Sequence, residues 1–95
     1  MPELPEPETP FILLTQDDCP RCERLKAMLE RPLRGHYRHA ITSVHRQEQP
    51  ELFYDRAETY GVRSTPVIIR LANGEVLRDV DSLSAVSAFL NRPPI

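Results

Sequence analysis

The sequence predicts an α/β domain in the order β-α-β-α-β-β-α: a four-stranded mixed sheet flanked by three helices. Three observations carry that expectation. Two runs, the continuously apolar Phe11-Ile12-Leu13-Leu14 and the β-branched Val67-Ile68-Ile69-Arg70-Leu71, have the length and content of strands. Three other stretches repeat apolar residues at helical spacing. Prolines and glycines fall between these segments at positions that start helices or turn strands.

Taken in order, residues 1–10 hold four prolines and little to bury, so they read as a disordered Pro/Glu-rich tail preceding a domain over 11–95. Phe11 to Thr15 is the first strand. Pro20 suits a first helical position, and Cys22, Leu25, Met28 and Leu29 share one face of the helix it opens. Pro32 and Gly35 end or kink that helix. Tyr37 to Val44, with Tyr37, Ala40, Ile41, Thr42 and Val44, is expected as the second strand. Pro50 opens a second helix in which Phe53, Ala57 and Tyr60 fall at i, i+4, i+7 before Gly61 caps it. Val67 to Leu71 follows as a strand, and Asn73-Gly74 turns it back into Glu75-Val76-Leu77-Arg78. Asp81 or Ser82 caps a last helix aligning Leu83, Val86 and Leu90, and Pro93-Pro94 follow it. The first two strands, joined through a helix, should be parallel; the last two form an antiparallel hairpin.

The 95 residues, 40% hydrophobic and 27% charged, suffice for one small core. No apolar run approaches the roughly 20 residues of a membrane span, and the N-terminus lacks the basic and apolar regions of a signal peptide. The expected setting is therefore cytoplasmic. Net charge is −2, with three glutamates in the first ten residues; beyond them, 11 acids face 12 Lys plus Arg. That balance is no footprint for nucleic acid. Arg31 to Arg46 gathers Arg31, Arg34, Arg38 and Arg46 with His36, His39 and His45 and no acid, which reads as a solvated basic face or a dock for an acidic partner.

The chemistry centres on Cys19-Pro20-Arg21-Cys22, the only cysteines of the chain. In a reducing cytosol such a pair points to catalysis or metal binding before a structural staple. Cys19 stands at the helix N-terminus, where backbone N–H groups and the helix dipole favour a thiolate. Cys22 lies one turn along on the apolar face. The expected division of labour has Cys19 attack a substrate disulfide and Cys22 resolve the mixed disulfide. Pro20 and Arg21 modulate the pair; Arg21 favours the thiolate, whereas Asp17 and Asp18 oppose it or cap the helix. Zinc needs four ligands, and no second cysteine pair or matching histidine spacing supplies them. A cluster bridged by two chains is a further metal alternative.

Thr65-Pro66 directly precedes the strongest strand, where proline sacrifices no interior ladder bond. Cys19-Pro20-Arg21-Cys22 after a strand, Tyr60-Gly61-Val62-Arg63-Ser64-Thr65-Pro66-Val67, and Leu71-Ala72-Asn73-Gly74-Glu75-Val76 occur in an order that resembles the thioredoxin-fold superfamily, over residues 11–91. The glycine-valine-arginine run looks like thioredoxin; the Cys-Pro-x-Cys form and the absence of an extra leading strand and helix look like glutaredoxin. The resemblance implies a thioredoxin-like fold and a cis Pro66 facing the dithiol. It also implies that Thr65 and Pro66, with Arg63 beside them, bind substrate.

Departures from both branches sort the electron donors. No tryptophan precedes Cys19, and the Phe11–Leu14 strand holds no buried carboxylate. Gln16 stands where glutaredoxins carry a basic residue, and the double glycine after the hairpin is absent. Only Asp81-Ser82 echo the residues that hold glutathione, and they are the candidate glutathione contacts. The expectation is a dithiol–disulfide oxidoreductase with no bound cofactor. It reduces protein disulfides with electrons from an NADPH-dependent thioredoxin reductase or, second, glutathione. A monomer without membrane or nucleic-acid partner is expected. The competing class is a non-catalytic binding module docking a partner at Thr65-Pro66.

Overall fold

The computed structural model describes residues 9–31 and 37–91. Within them the chain runs β1 (Phe11–Thr15), α1 (Pro20–Glu30), a 3-10 turn (Arg38–Ala40), β2 (Ile41–His45), α2 (Pro50–Thr59), β3 (Val67–Arg70), β4 (Glu75–Leu77) and α3 (Leu83–Asn91). The α/β class, the four-stranded mixed sheet and the three helices are as the sequence predicts. Strand order is β2-β1-β3-β4, with β1 parallel to β2 and antiparallel to β3, and β4 antiparallel on the edge.

β1 is the central strand, and all five of its residues are buried. Its side chains alternate between two cores, as pleating dictates. Phe11 and Leu13 join Ile68, Leu25 of α1 and Val86, Phe89 and Leu90 of α3. Ile12 and Leu14 join Val44, Val67, Ile69 and the α2 residues Leu52, Phe53 and Ala57. A continuous apolar run is thus needed here because both faces of the strand are covered.

Three local expectations are corrected, and the choice between Asp81 and Ser82 as the α3 cap is settled. Tyr37 to Ala40 is not strand: Ala40 N–H closes a tight turn onto the Tyr37 carbonyl (2.9 Å), and pairing with β1 starts only at Ile41. The hairpin loop is four residues, Leu71 to Gly74, because Arg70 pairs with Glu75. Gly74 takes φ 73° there, and its N–H returns to the Arg70 carbonyl (2.8 Å). In α3, Ser82 is the capping residue, its Oγ accepting from Ala85 N–H (3.2 Å). Leu83 therefore lies in the first turn and is exposed, while Phe89 takes the core position. The residues proposed to end α1, Pro32 and Gly35, lie outside the described residues, as do positions 1–8 of the acidic tail, Arg34, His36 and Pro93-Pro94.

α2 ends as expected, at Gly61. Its φ of 67° lets Gly61 N–H reach the Glu58 carbonyl (3.3 Å) and Val62 N–H reach that of Ala57 (2.8 Å). This pair of bonds is a Schellman cap, which needs a left-handed residue and so favours glycine. It turns Val62 back onto the α2 core and aims Arg63-Ser64-Thr65 at the carboxyl end of β1.

At the amino end of β1, Arg70 is a buried charge, 2% exposed. Its guanidinium lies 4.4 Å from the Phe89 ring centre and 5.9 Å from that of Phe11. It donates to Glu75 Oε1 and to the Phe89 carbonyl, one of the last four carbonyls of α3 that no helical N–H reaches. Desolvation of a cation is costly, and these partners offset it.

Candidate active site at the Cys19–Cys22 pair

Cys19 and Cys22 stand at the carboxyl end of β1, where the chain turns into α1. Asp18 makes that turn at φ 53°, a conformation aspartate tolerates better than most residues. Cys19 is the N-cap of α1 and Pro20 its first helical residue, whose missing N–H is one the helix does not use. Cys22 N–H donates to Cys19 Sγ (3.1 Å), so the cysteine sulfur takes the role that a Ser or Asp oxygen usually fills at such a position. Asp17 and Asp18 do not cap the helix, contrary to one reading of their charge.

The two sulfurs form a disulfide, with Cα atoms 5.2 Å apart. Cys22 is buried and Cys19 half-buried, the asymmetry that their helix positions imply. Across the disulfide, Thr65 Oγ1 lies 3.8 Å from Cys19 Sγ. The Thr65–Pro66 peptide bond is cis, and Pro66 is buried. The sheet explains this meeting: Val67 pairs with Leu14, so the residues before β3 arrive beside those after β1.

The remaining candidates fall around the same point. Arg21 pairs with Asp81, Nη2 to Oδ2 at 3.2 Å, which offsets its charge beside the cysteines and ties α1 to the approach to α3. Both partners are substantially exposed, so the tie is weak. Asp81 and Ser82, the candidate glutathione contacts, are thus engaged with Arg21 and with capping α3. Arg63 is exposed and has no charged partner among the described residues.

Sequence reasoning missed the brace behind the cysteine loop. His45 Nε2 lies 3.0 Å from Asp17 Oδ1, and Asp17 N–H donates to Gln47 Oε1 (2.8 Å). Arg46 donates from Nη1 to Gln16 Oε1 (3.0 Å) and from Nε to the Tyr54 hydroxyl (2.7 Å). In the sequence, His45 and Arg46 belong to the basic stretch, and Gln16 stands where glutaredoxins carry a basic residue. The available signal was topological. Parallel neighbours end on the same side, and Thr15 pairs with His45, so Gln16-Asp17 must meet Arg46-Gln47.

A groove of about 280 Å³ opens next to Thr65, with Phe53, Ala57 and Val62 inside and Gln16, Arg46 and Arg63 among its walls. An open recess at Cys19 itself is bounded by Asp18, Pro20 and Glu23. Among the described residues no group of three or more His, Cys, Asp or Glu is placed to hold a metal ion, and no helix is long and apolar enough to cross a membrane. Comparison with protein-family models, with curated proteins and with solved structures finds no match for this chain.

Proposed function

We propose that the protein is a thioredoxin-like dithiol–disulfide oxidoreductase that reduces protein disulfides in the cytoplasm. The observation that carries the reading is the Cys19–Cys22 disulfide at the head of α1, with its outer sulfur half-buried 3.8 Å from Thr65 Oγ1. A staple of this kind, closing a loop of two residues, contributes little by constraining the unfolded chain. Its placement suits exchange instead.

In the reduced protein the Cys19 thiolate is favoured by the Cys22 N–H and by the positive end of α1. It attacks one sulfur of a substrate disulfide. A Cys19–substrate S–S bond forms, the substrate S–S bond breaks, and the departing sulfur leaves as a thiolate that takes a proton from solvent. Cys22, deprotonated, then attacks Cys19 Sγ. The Cys19–Cys22 disulfide forms, the Cys19–substrate bond breaks, and the second substrate sulfur leaves as a thiolate that takes up the proton Cys22 gave to solvent. Two electrons have passed from the dithiol to the substrate. They are restored by NADPH through a thioredoxin reductase, or by two glutathione thiols. Thr65 lines the position of the incoming sulfur, and Arg63 flanks it.

The test is insulin reduction by dithiothreitol with and without the protein, together with the Cys19→Ser variant. Acceleration by the native chain and none by the variant is expected. Equal rates for the two, with a reduction potential outside the cytosolic range, would overturn the reading in favour of a binding module. Coupling to NADPH through thioredoxin reductase or through glutathione identifies the donor, with a rate expected from the first.

A further inference from the structure

Charge is divided across Cys19. On the Thr65 side, Arg46 and Arg63 wall the 280 Å³ groove, and neither has a carboxylate partner among the described residues. Arg46 is instead held in place by neutral acceptors, Gln16 Oε1 and the Tyr54 hydroxyl, which fix its position and leave its charge uncompensated. On the other side, Asp18 and Glu23 bound the recess that contains Cys19 and Pro20, and neither pairs with a described cation. Of the other nearby charges, Arg21 pairs with Asp81, and Asp17 is engaged by His45 Nε2 in the brace behind the loop. What remains is a positive groove that includes Thr65, the neighbour of Cys19 Sγ, and an acidic recess that includes Cys19 itself.

We propose, building on the redox reading above, that the substrate is a disulfide-bearing protein segment. It crosses Cys19 with an acidic side chain in the Arg46–Arg63 groove and a basic side chain over Asp18 and Glu23. Complementary potentials of this kind set orientation and exclude wrong partners more than they add affinity. An occupant of one charge satisfies only one wall, so the arrangement calls for a chain that runs across both. The apolar floor of Phe53, Ala57 and Val62 receives the methylene part of the acidic side chain.

The experiment mixes the reduced full-length protein with disulfide dimers of four short peptides. Their cysteine is flanked by Asp then Lys, Lys then Asp, Asp on both sides, or Lys on both sides. The rate of peptide-thiol release is read in a single turnover. One of the two mixed orders should be fastest, by about 3- to 10-fold over the doubly charged peptides, and the advantage should shrink at high salt. Arg63→Gln should erode that preference, and Arg63→Glu should shift it toward Lys at the groove position, with the fold of each variant checked by thermal melting. Equal rates for all four peptides, or an unchanged preference in Arg63→Glu, would overturn the charge-boundary proposal and leave the redox reading standing. No thiol release from any peptide would overturn both.

Discussion

The two ends of the central strand handle charge in opposite ways. At the amino end, Arg70 is enclosed, with its guanidinium against the Phe89 ring, near Phe11, and its donors on Glu75 and the end of α3. At the carboxyl end, Arg46 and Arg63 face a groove without carboxylate partners, and Asp18 holds a left-handed backbone next to the cysteines. The first arrangement spends its charge on holding the fold. The second leaves charge and sulfur available to a partner, and braces them from behind through Gln16, Asp17, His45 and Gln47. Stability and chemistry are thus expected to separate along about five residues of one strand.

The largest expected effect tests the chemical end. Cys22→Ser should lose insulin reduction driven by NADPH and thioredoxin reductase while Cys19 still forms a mixed disulfide, seen as a protein-sized adduct that dithiothreitol added afterwards releases. An adduct that instead resolves would show that a third group serves as resolving nucleophile. The structural end is tested by Arg70→Ala, which removes the buried side chain packed against the Phe89 ring and bonded to Glu75 and the end of α3. A loss of about 2–4 kcal/mol in urea unfolding is expected, with the melting temperature falling about 4–8 °C per kcal/mol. The rate of exchange with peptide disulfides should stay near native at temperatures where the variant is folded. A variant that unfolds normally but exchanges slowly would break the comparison.

Gly61→Ala sits between the two ends, since the cap of α2 directs the chain to Thr65. A left-handed alanine costs about 1–2 kcal/mol, and the same unfolding measurement should report it. The smallest effect belongs to Arg21→Gln. Because Arg21 and Asp81 are both exposed, no more than about 1 kcal/mol of stability is expected to follow its loss. A larger change would mean that the tie between α1 and the start of α3 is part of the structural end after all.

The chemical end was legible in the sequence because its determinants are local. A strand, a proline at a helix start and two cysteines one turn apart lie within twelve residues, Phe11 to Cys22, and each follows from spacing. The structural end was not legible. Arg70 reads as the last polar residue of an apolar run, and its enclosure depends on Phe89 and Glu75, which only the finished fold brings near. Leu83 aligns with Val86 and Leu90, yet it stands in the first turn of α3 and is exposed, while Phe89, outside that alignment, is buried. Tyr37 and Ala40 have strand-compatible side chains but no neighbouring strand to pair with. His45, Arg46 and Gln47 stood in plain view, yet their partners lie about thirty residues away across the parallel register.

The meeting of Phe11 and Phe89, with ring centres 5.8 Å apart, has a practical side. The described fold is entered and left at the same pole, and the disulfide occupies the other. A tether or fused partner attached at that shared pole would present the sulfurs outward, so that the domain could be oriented on an electrode or a resin by a single attachment site.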